Sequence, residues 1–129
     1  MDKGFEPRFE DRRLLTGAGR FLDDERAAGA AWGVFVRSPH AFAAIRAIDP
    51  APALAVPGVI AVLLAGDLKA AGAGDINAIV PVPGGAGMVV PPHPALCGDF
   101  VRHVGDPVAL AVGETEAAAR DGAERIAVD

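Results

Sequence analysis

Three small groups of residues in this 129-residue chain have types and spacings that could do chemistry. The first is Ser38-Pro39-His40, whose hydroxyl and imidazole could act as nucleophile and general base of a small hydrolase. Residues two positions apart on an extended segment point the same way without facing each other, and the sequence shows no strained elbow beside them. An acidic third member is also missing, so the pattern favours a turn or a contact to a partner.

The second group is His93, Cys97 and His103, which could ligate a metal ion with the spacing H-x3-C-x5-H. A structural zinc site needs four ligands, and no fourth ligand of matching type follows. His103 also comes just before a predicted strand. Surface or interface histidines are the simpler interpretation, and the sequence therefore assigns no catalytic, cofactor-binding or metal-ligating residue.

The third group is Gly17-Ala18-Gly19, which could begin a phosphate-binding loop. A dinucleotide fingerprint needs a strand before the glycines, a third glycine three residues on and a helix after them. Here the preceding run is charged and the following one is acidic. The sequence predicts a turn.

The elements that would position any site are organised around residues 105–129. Val108, Leu110 and Val112 alternate with alanine and glycine, a pattern typical of a strand that is covered on both faces and that begins at Pro107. Thr115 is a good N-cap for a following helix, and the last residues predict a final strand. Gly122 inside that helix indicates a close approach of its backbone to the sheet.

Upstream of this region the pattern predicts short strands and one short helix. Residues 31–37 and 43–49 are rich in β-forming types and are expected to pair with each other. A short helix is predicted at residues 50–56, where proline lies near the start. Residues 59–64 read VIAVLL and predict a second buried strand, beside the one at residues 107–112.

Residues 70–94 hold most of the glycine and proline of the chain and predict a long irregular excursion around one short strand at residues 76–80. Long loops in compact domains are usually functional or held by something outside the domain. One interpretation of the chain is therefore a free-standing binding module that uses this loop for recognition. The charged residues 1–13 predict an arm, and the expected organisation is an arm at residues 1–22 and one domain at residues 23–129.

Composition limits the classes of function. The single Cys97 excludes an internal disulfide, and no apolar run is long enough to span a bilayer, so the expected location is the cytoplasm. A net charge of -5, with twelve Lys and Arg scattered among seventeen acids, excludes a nucleic-acid partner.

Four stretches carry a resemblance that covers nearly the whole chain. They read RLLTGAGRFLDD at residues 13–24, VRSPHAFAAIRAID at 36–49, PGVIAVLLAGDL at 57–68 and VGDPVALAVGETEAAARDGAERIAVD at 104–129. In this order and spacing they resemble the N-terminal part of the large, molybdenum-binding subunit of the xanthine dehydrogenase, aldehyde oxidase and carbon monoxide dehydrogenase family. The first two stretches most resemble the carbon monoxide dehydrogenase branch. Asp106 departs from the family pattern, in which glutamine or glutamate is common there.

The resemblance implies an α/β-hammerhead fold of the α/β (α+β) class, with a mixed sheet, packed helices and a protruding β motif. It implies that the molybdopterin ligands and the catalytic glutamate lie in a segment that follows this domain, so the chain is expected to be a non-catalytic fragment. The implied partners are the remainder of the large subunit and companion subunits that carry iron-sulfur clusters and FAD.

Overall fold

The computed structural model describes residues 8–25, 27–76 and 91–129, without the side chain of Asp23. The chain divides into two compact units, residues 1–30 and 31–129. The predictions for residues 1–7 and for a strand at residues 76–80 lie wholly or mostly outside the described residues. The predicted boundary between an arm and a domain after residue 22 stays a prediction.

The first unit contains helix α1 (Asp11–Leu15) and a 3₁₀ helix (Leu22–Asp24). The sequence pattern did not predict α1, which is held at its start by Asp11, whose carboxylate accepts a hydrogen bond from the Arg8 amide at 2.9 Å. Gly17, at φ +72°, turns the chain after the helix, as predicted. No residue in the described part of this unit is buried, and Phe9, Leu15 and Leu22 are all exposed.

The second unit alternates strands and short helices. Its elements are β1 (Trp32–Arg37), β2 (Ala43–Ala44), β3 (Ile48–Asp49), α2 (Ala51–Leu54), β4 (Val59–Leu63), α3 (Ala65–Ala70), β5 (Phe100–Val101), β6 (Pro107–Gly113), α4 (Glu116–Glu124) and β7 (Ala127–Val128). The predicted strands at the positions of β1, β4 and β6 and the helices α2 and α4 are confirmed. Thr115 caps α4 as expected, since its hydroxyl oxygen accepts from the Ala118 amide at 3.1 Å.

The strand β6 is the centre of a three-stranded sheet in the order β1-β6-β4. The predicted neighbourhood of β4 and β6 is thus confirmed. Every strand pair among the described residues is antiparallel, whereas the resemblance implied a mixed sheet. Mixed helices and antiparallel strands still give the expected α+β class.

The predicted pairing of residues 31–37 with residues 43–49 is wrong. The strand β1 pairs with β6, whereas the second stretch is split between β2, which pairs with β5, and β3, which pairs with β7. The reason is the turn at Ser38, whose amide donates to the Asp106 carbonyl and whose carbonyl accepts from the Gly105 amide. These bonds fix the end of β1 against the start of β6, so the chain leaves the sheet.

One face of the sheet, the inner face, is covered by α4 and α2. Ala109 and Ala111 on β6 are fully buried there with Ala53 of α2 and Ile126. A Cβ placed at Gly113 would lie 2.6 Å from the backbone nitrogen of Ala119 on α4, and one at Gly122 would lie 2.7 Å from Val59 Cγ2. The close approach predicted for Gly122 is therefore confirmed.

The opposite face of the sheet, the outer face, is only partly covered. Leu110 and Val112 are half-buried, so the prediction that both lie fully covered is wrong. Val108 is buried because the register shifts between Val36 and Arg37, which makes Val108 the extra residue of a β-bulge packed on Cys97 and Val101. The positions of large apolar residues along β6 thus do not show which face of the strand is covered.

Candidate functional site

Ser38 and His40 lie beside a cavity of about 310 Å³ that is lined mainly by apolar side chains. The Ser38 hydroxyl is buried and bonded to the backbone of His40, since it accepts from the amide at 3.0 Å and reaches the carbonyl at 3.4 Å. A serine nucleophile needs a hydrogen bond between its hydroxyl and the imidazole ring of the base. The pair therefore closes a turn, as the sequence pattern favoured.

The three residues weighed as metal ligands have different surroundings, and both histidines are exposed, as the simpler interpretation expected. Cys97 and His103 both contact Asp106, a residue to which the sequence pattern gave no role, whereas His93 is exposed on the surface. The Asp106 carboxylate accepts from the amides of Arg102 and His103 at 2.6 and 3.3 Å, and its other oxygen lies 2.9 Å from His103 Nε2. Asp106 is the polar centre of the corner that leads into β6. The signal that could have found it is the spacing of His103 and Asp106 around the turn at Gly105.

The charge on Asp106 affects the protonation of its neighbours. The hydrogen bond from the Arg102 amide lowers the pKa of Asp106 below its ordinary value, and the amide and ring of His103 act in the same direction despite burial. Burial raises the pKa of the Cys97 thiol, and the adjacent carboxylate raises it further. A thiol held protonated is a poor nucleophile and a poor metal ligand.

Within the ranges that the structure describes, no three His, Cys, Asp or Glu side chains are grouped so as to hold a metal. The one buried thiol is occupied by its contact with Asp106.

The outer face is a surface of different character. Cross-strand register places Phe35, Leu110 and Leu63 in one row across the three strands, and Gly33, Val112 and Ala61 in the next. Phe35 is 46% exposed, and the guanidinium of Arg37 lies 5.4 Å from the centre of its ring. An aromatic residue with an arginine at the edge of an apolar face is typical of interfaces.

A second aromatic contact lies on the ribbon formed by β2 and β5. The rings of Phe42 and Phe100 are stacked with their centres 5.9 Å apart, and Phe42 is still 72% exposed. The second unit thus exposes aromatic side chains both on the outer face and beside this ribbon.

Comparison with known proteins agrees with this geometry. The sequence profile for the family described as "Aldehyde oxidase and xanthine dehydrogenase, a/b hammerhead domain" matches residues 16–129. The nicotine 6-hydroxylase large subunit of Paenarthrobacter nicotinovorans is 42% identical over 123 residues, which are 95% of this chain and 15% of that subunit.

Solved structures of similar proteins show the same arrangement. Quinoline 2-oxidoreductase from Pseudomonas putida 86 superposes with a TM-score of 0.82 at 38% identity, over 95% of this chain and 15% of that one. A Cu,Mo-CO dehydrogenase superposes with a TM-score of 0.79 at 35% identity, over 96% and 14% respectively. The chain thus spans about a seventh of the length of its relatives, and it belongs to the aldehyde oxidase and xanthine dehydrogenase family as an α/β-hammerhead domain.

Proposed function

We propose that this chain serves as a non-catalytic structural domain of the large subunit of a molybdenum hydroxylase. The whole enzyme would oxidise carbon monoxide, an aldehyde or a heteroaromatic ring with oxygen taken from water. The observation that carries this proposal is the match of residues 16–129 to one domain, which fills 15% of the nicotine 6-hydroxylase large subunit. The arrangement of the described side chains, in which the polar cluster around Asp106 holds a corner, supports a structural role.

The proposal extends to cofactors and partners. The molybdopterin would be held by the remaining part of the large subunit, and companion subunits would carry iron-sulfur clusters and FAD. A further relative is named as subunit gamma of a 6-hydroxypseudooxynicotine dehydrogenase complex, which supports a multi-subunit assembly. None of the described helices is long and apolar enough to cross a membrane. We place the assembly in the cytoplasm.

A domain exchange tests the proposal directly. This chain would replace the matching domain of the Paenarthrobacter nicotinovorans nicotine 6-hydroxylase large subunit, to which it is 42% identical. We expect the chimera to assemble with molybdenum bound and to hydroxylate nicotine, and the same subunit with the domain deleted to do neither. A chimera that fails to assemble would contradict the proposal.

The isolated chain provides the complementary measurement. We expect the purified 129-residue protein to contain no stoichiometric molybdenum by metal analysis and to oxidise neither nicotine nor carbon monoxide. Stoichiometric molybdenum in that protein would show that it holds the cofactor itself.

The alternative function is a free-standing module that binds a ligand with residues 70–94. An open cavity of about 480 Å³ lies between the two described ends of this stretch and is lined by Leu68, Lys69, Asp75 and Asp99 among others. Genes for iron-sulfur and flavin subunits beside the gene for this chain would favour the enzyme domain. An isolated gene would favour the module.

A further inference from the structure

The outer face of the central sheet is an apolar surface that the described fold leaves partly open. Its two rows of residues, Phe35-Leu110-Leu63 and Gly33-Val112-Ala61, contain no charged or polar side chain. On the inner face, by contrast, α4 approaches so closely that Gly113 has no room for a Cβ. The sheet is thus closely covered on its inner face and partly open on its outer face.

We propose that the outer face docks onto another segment of the same large-subunit polypeptide, an inference that rests on the function proposed above. The first argument is the chemistry of the face. Phe35 is 46% exposed, and its neighbours in the two rows are half-buried or, at Gly33, exposed. The charge of Arg37 lies beside the face, where the guanidinium is placed over the Phe35 ring. Interfaces that form once and persist are apolar at their centre with charge at the rim.

The second argument is the size of the face, which distinguishes a linked segment from a separate chain. A stable interface between separate chains takes about 20–30 residues on each side, whereas this face offers the six residues of its two rows. A segment of the same polypeptide acts at an effective concentration of about a millimolar, so a small face is enough to hold it. The relatives have the length to supply such a segment, since this chain spans 15% of the nicotine 6-hydroxylase large subunit.

Side-chain labelling by hydroxyl radicals tests the docking without any substitution. In the isolated chain, we expect Phe35 to be labelled readily, as is Leu54, which is 51% exposed on α2. In the active nicotine 6-hydroxylase chimera we expect labelling of Phe35 to fall on the order of tenfold, because the centre of an interface excludes water. Labelling of Leu54 provides the control for general access of the reagent.

Three results would overturn the inference while leaving the proposed function intact. Phe35 could be labelled equally in the isolated chain and in the active chimera. It could already be protected in the dilute isolated chain, which would mean that this chain covers its own face. It could become protected as the isolated chain is concentrated, which would identify a second copy as the occupant. A chimera that never assembles would instead remove the proposed function and this inference together.

Substitutions provide an independent measurement. Phe35→Glu should lower the yield of active chimera roughly tenfold, since it places a charge in the centre of the face, whereas Leu54→Glu should leave it unchanged. The isolated chain with either substitution should stay folded by circular dichroism. If Phe35→Glu unfolds it, Val112→Thr adds a hydroxyl to the same face at nearly constant volume and should lower the yield in the same direction. Unchanged yields for both face variants would contradict the inference.

Discussion

The two faces of the central sheet show how differently one strand can be buried. On the inner face, β6 presents Ala109, Ala111 and Gly113, and helix α4 lies so close that these small residues are completely covered. On the outer face, the same strand presents Leu110 and Val112, which are only half-buried. Among these five residues of β6, the two larger side chains are thus the less covered ones.

This difference separates two sources of stability. On the inner face each alanine buries little apolar area, so the fold depends on the close fit between backbone and helix. On the outer face the larger side chains keep exposed apolar area that a docked segment would bury. Substitutions on the two faces should therefore differ both in size and in their dependence on assembly.

The largest effect is expected on the inner face, from Gly113→Ala. The new Cβ would lie 2.6 Å from the backbone nitrogen of Ala119, so α4 must move away from the sheet. We expect the free energy of unfolding to fall by about 2–3 kcal/mol in urea denaturation, in the range that overpacking costs.

The matched control for this change is Gly66→Ala on α3, where a Cβ meets no atom within 4 Å. That variant should be unchanged or more stable by about 1 kcal/mol, because alanine favours a helix over glycine. Equal losses at Gly113 and Gly66 would mean that the helix does not fit the inner face tightly.

The corner before β6 depends on a charge instead of on close packing. Asp106→Ala removes the acceptor for the amides of Arg102 and His103 and should cost about 2 kcal/mol, because unpaired donors keep their desolvation penalty. The free energy of unfolding of the two proteins would be measured by urea denaturation at neutral pH.

The same residue gives a dependence on pH with a definite sign. The pKa of Asp106 is lowered below its ordinary value of 3.8, so the folded state binds a proton less readily than the unfolded state. Its contribution is present above pH 3.8 and is lost as the pH falls through the lowered pKa. Asp106→Asn should remove this part of the acid sensitivity, and an unchanged pH profile would contradict the assignment.

The outer face should show a smaller loss, from Leu110→Ala. Complete burial, which the alternating pattern predicted, would give about 2–5 kcal/mol, whereas a half-buried leucine should cost about 1–2 kcal/mol in the isolated chain. The loss should grow when the same substitution is made in the nicotine 6-hydroxylase chimera, measured by thermal inactivation. If the free energy of unfolding of the isolated chain fell by about 2–5 kcal/mol, the outer face would already be covered.

Local signals in the sequence predicted the elements well. Four predicted features correspond to observed ones: the alternation in β6, the apolar run in β4, the Thr115 cap and the close approach at Gly122. Each of them depends on neighbours along the chain or on one close contact. The resemblance to the family gave the fold class, which the comparisons confirm.

Features that depend on distant segments were missed. The strands β2 and β3 pair with β5 and β7, which lie far away along the sequence and come close only in the folded chain. The pairing within residues 31–49 was therefore predicted wrongly. The role of Asp106 was also missed, although its donors, the amides of Arg102 and His103, lie only four and three residues away, because they belong to a loop that follows no periodic pattern. Coverage of Leu110 was overestimated since an alternating strand does not show which face has a partner.

The smallest effect concerns the helix that covers the inner face. Thr115→Ala removes the oxygen that accepts from the Ala118 amide at 3.1 Å and should lower the free energy of unfolding by about 1 kcal/mol, while Thr115→Ser keeps the acceptor and should be nearly neutral. Because Ala119, in the first turns of α4, lies directly over Gly113, loss of the cap should also speed hydrogen exchange at the β6 amides near Gly113 before it affects those near Pro107. Equal stability of Thr115→Ala and Thr115→Ser, or uniform exchange along β6, would show that packing on the inner face holds the helix without its cap.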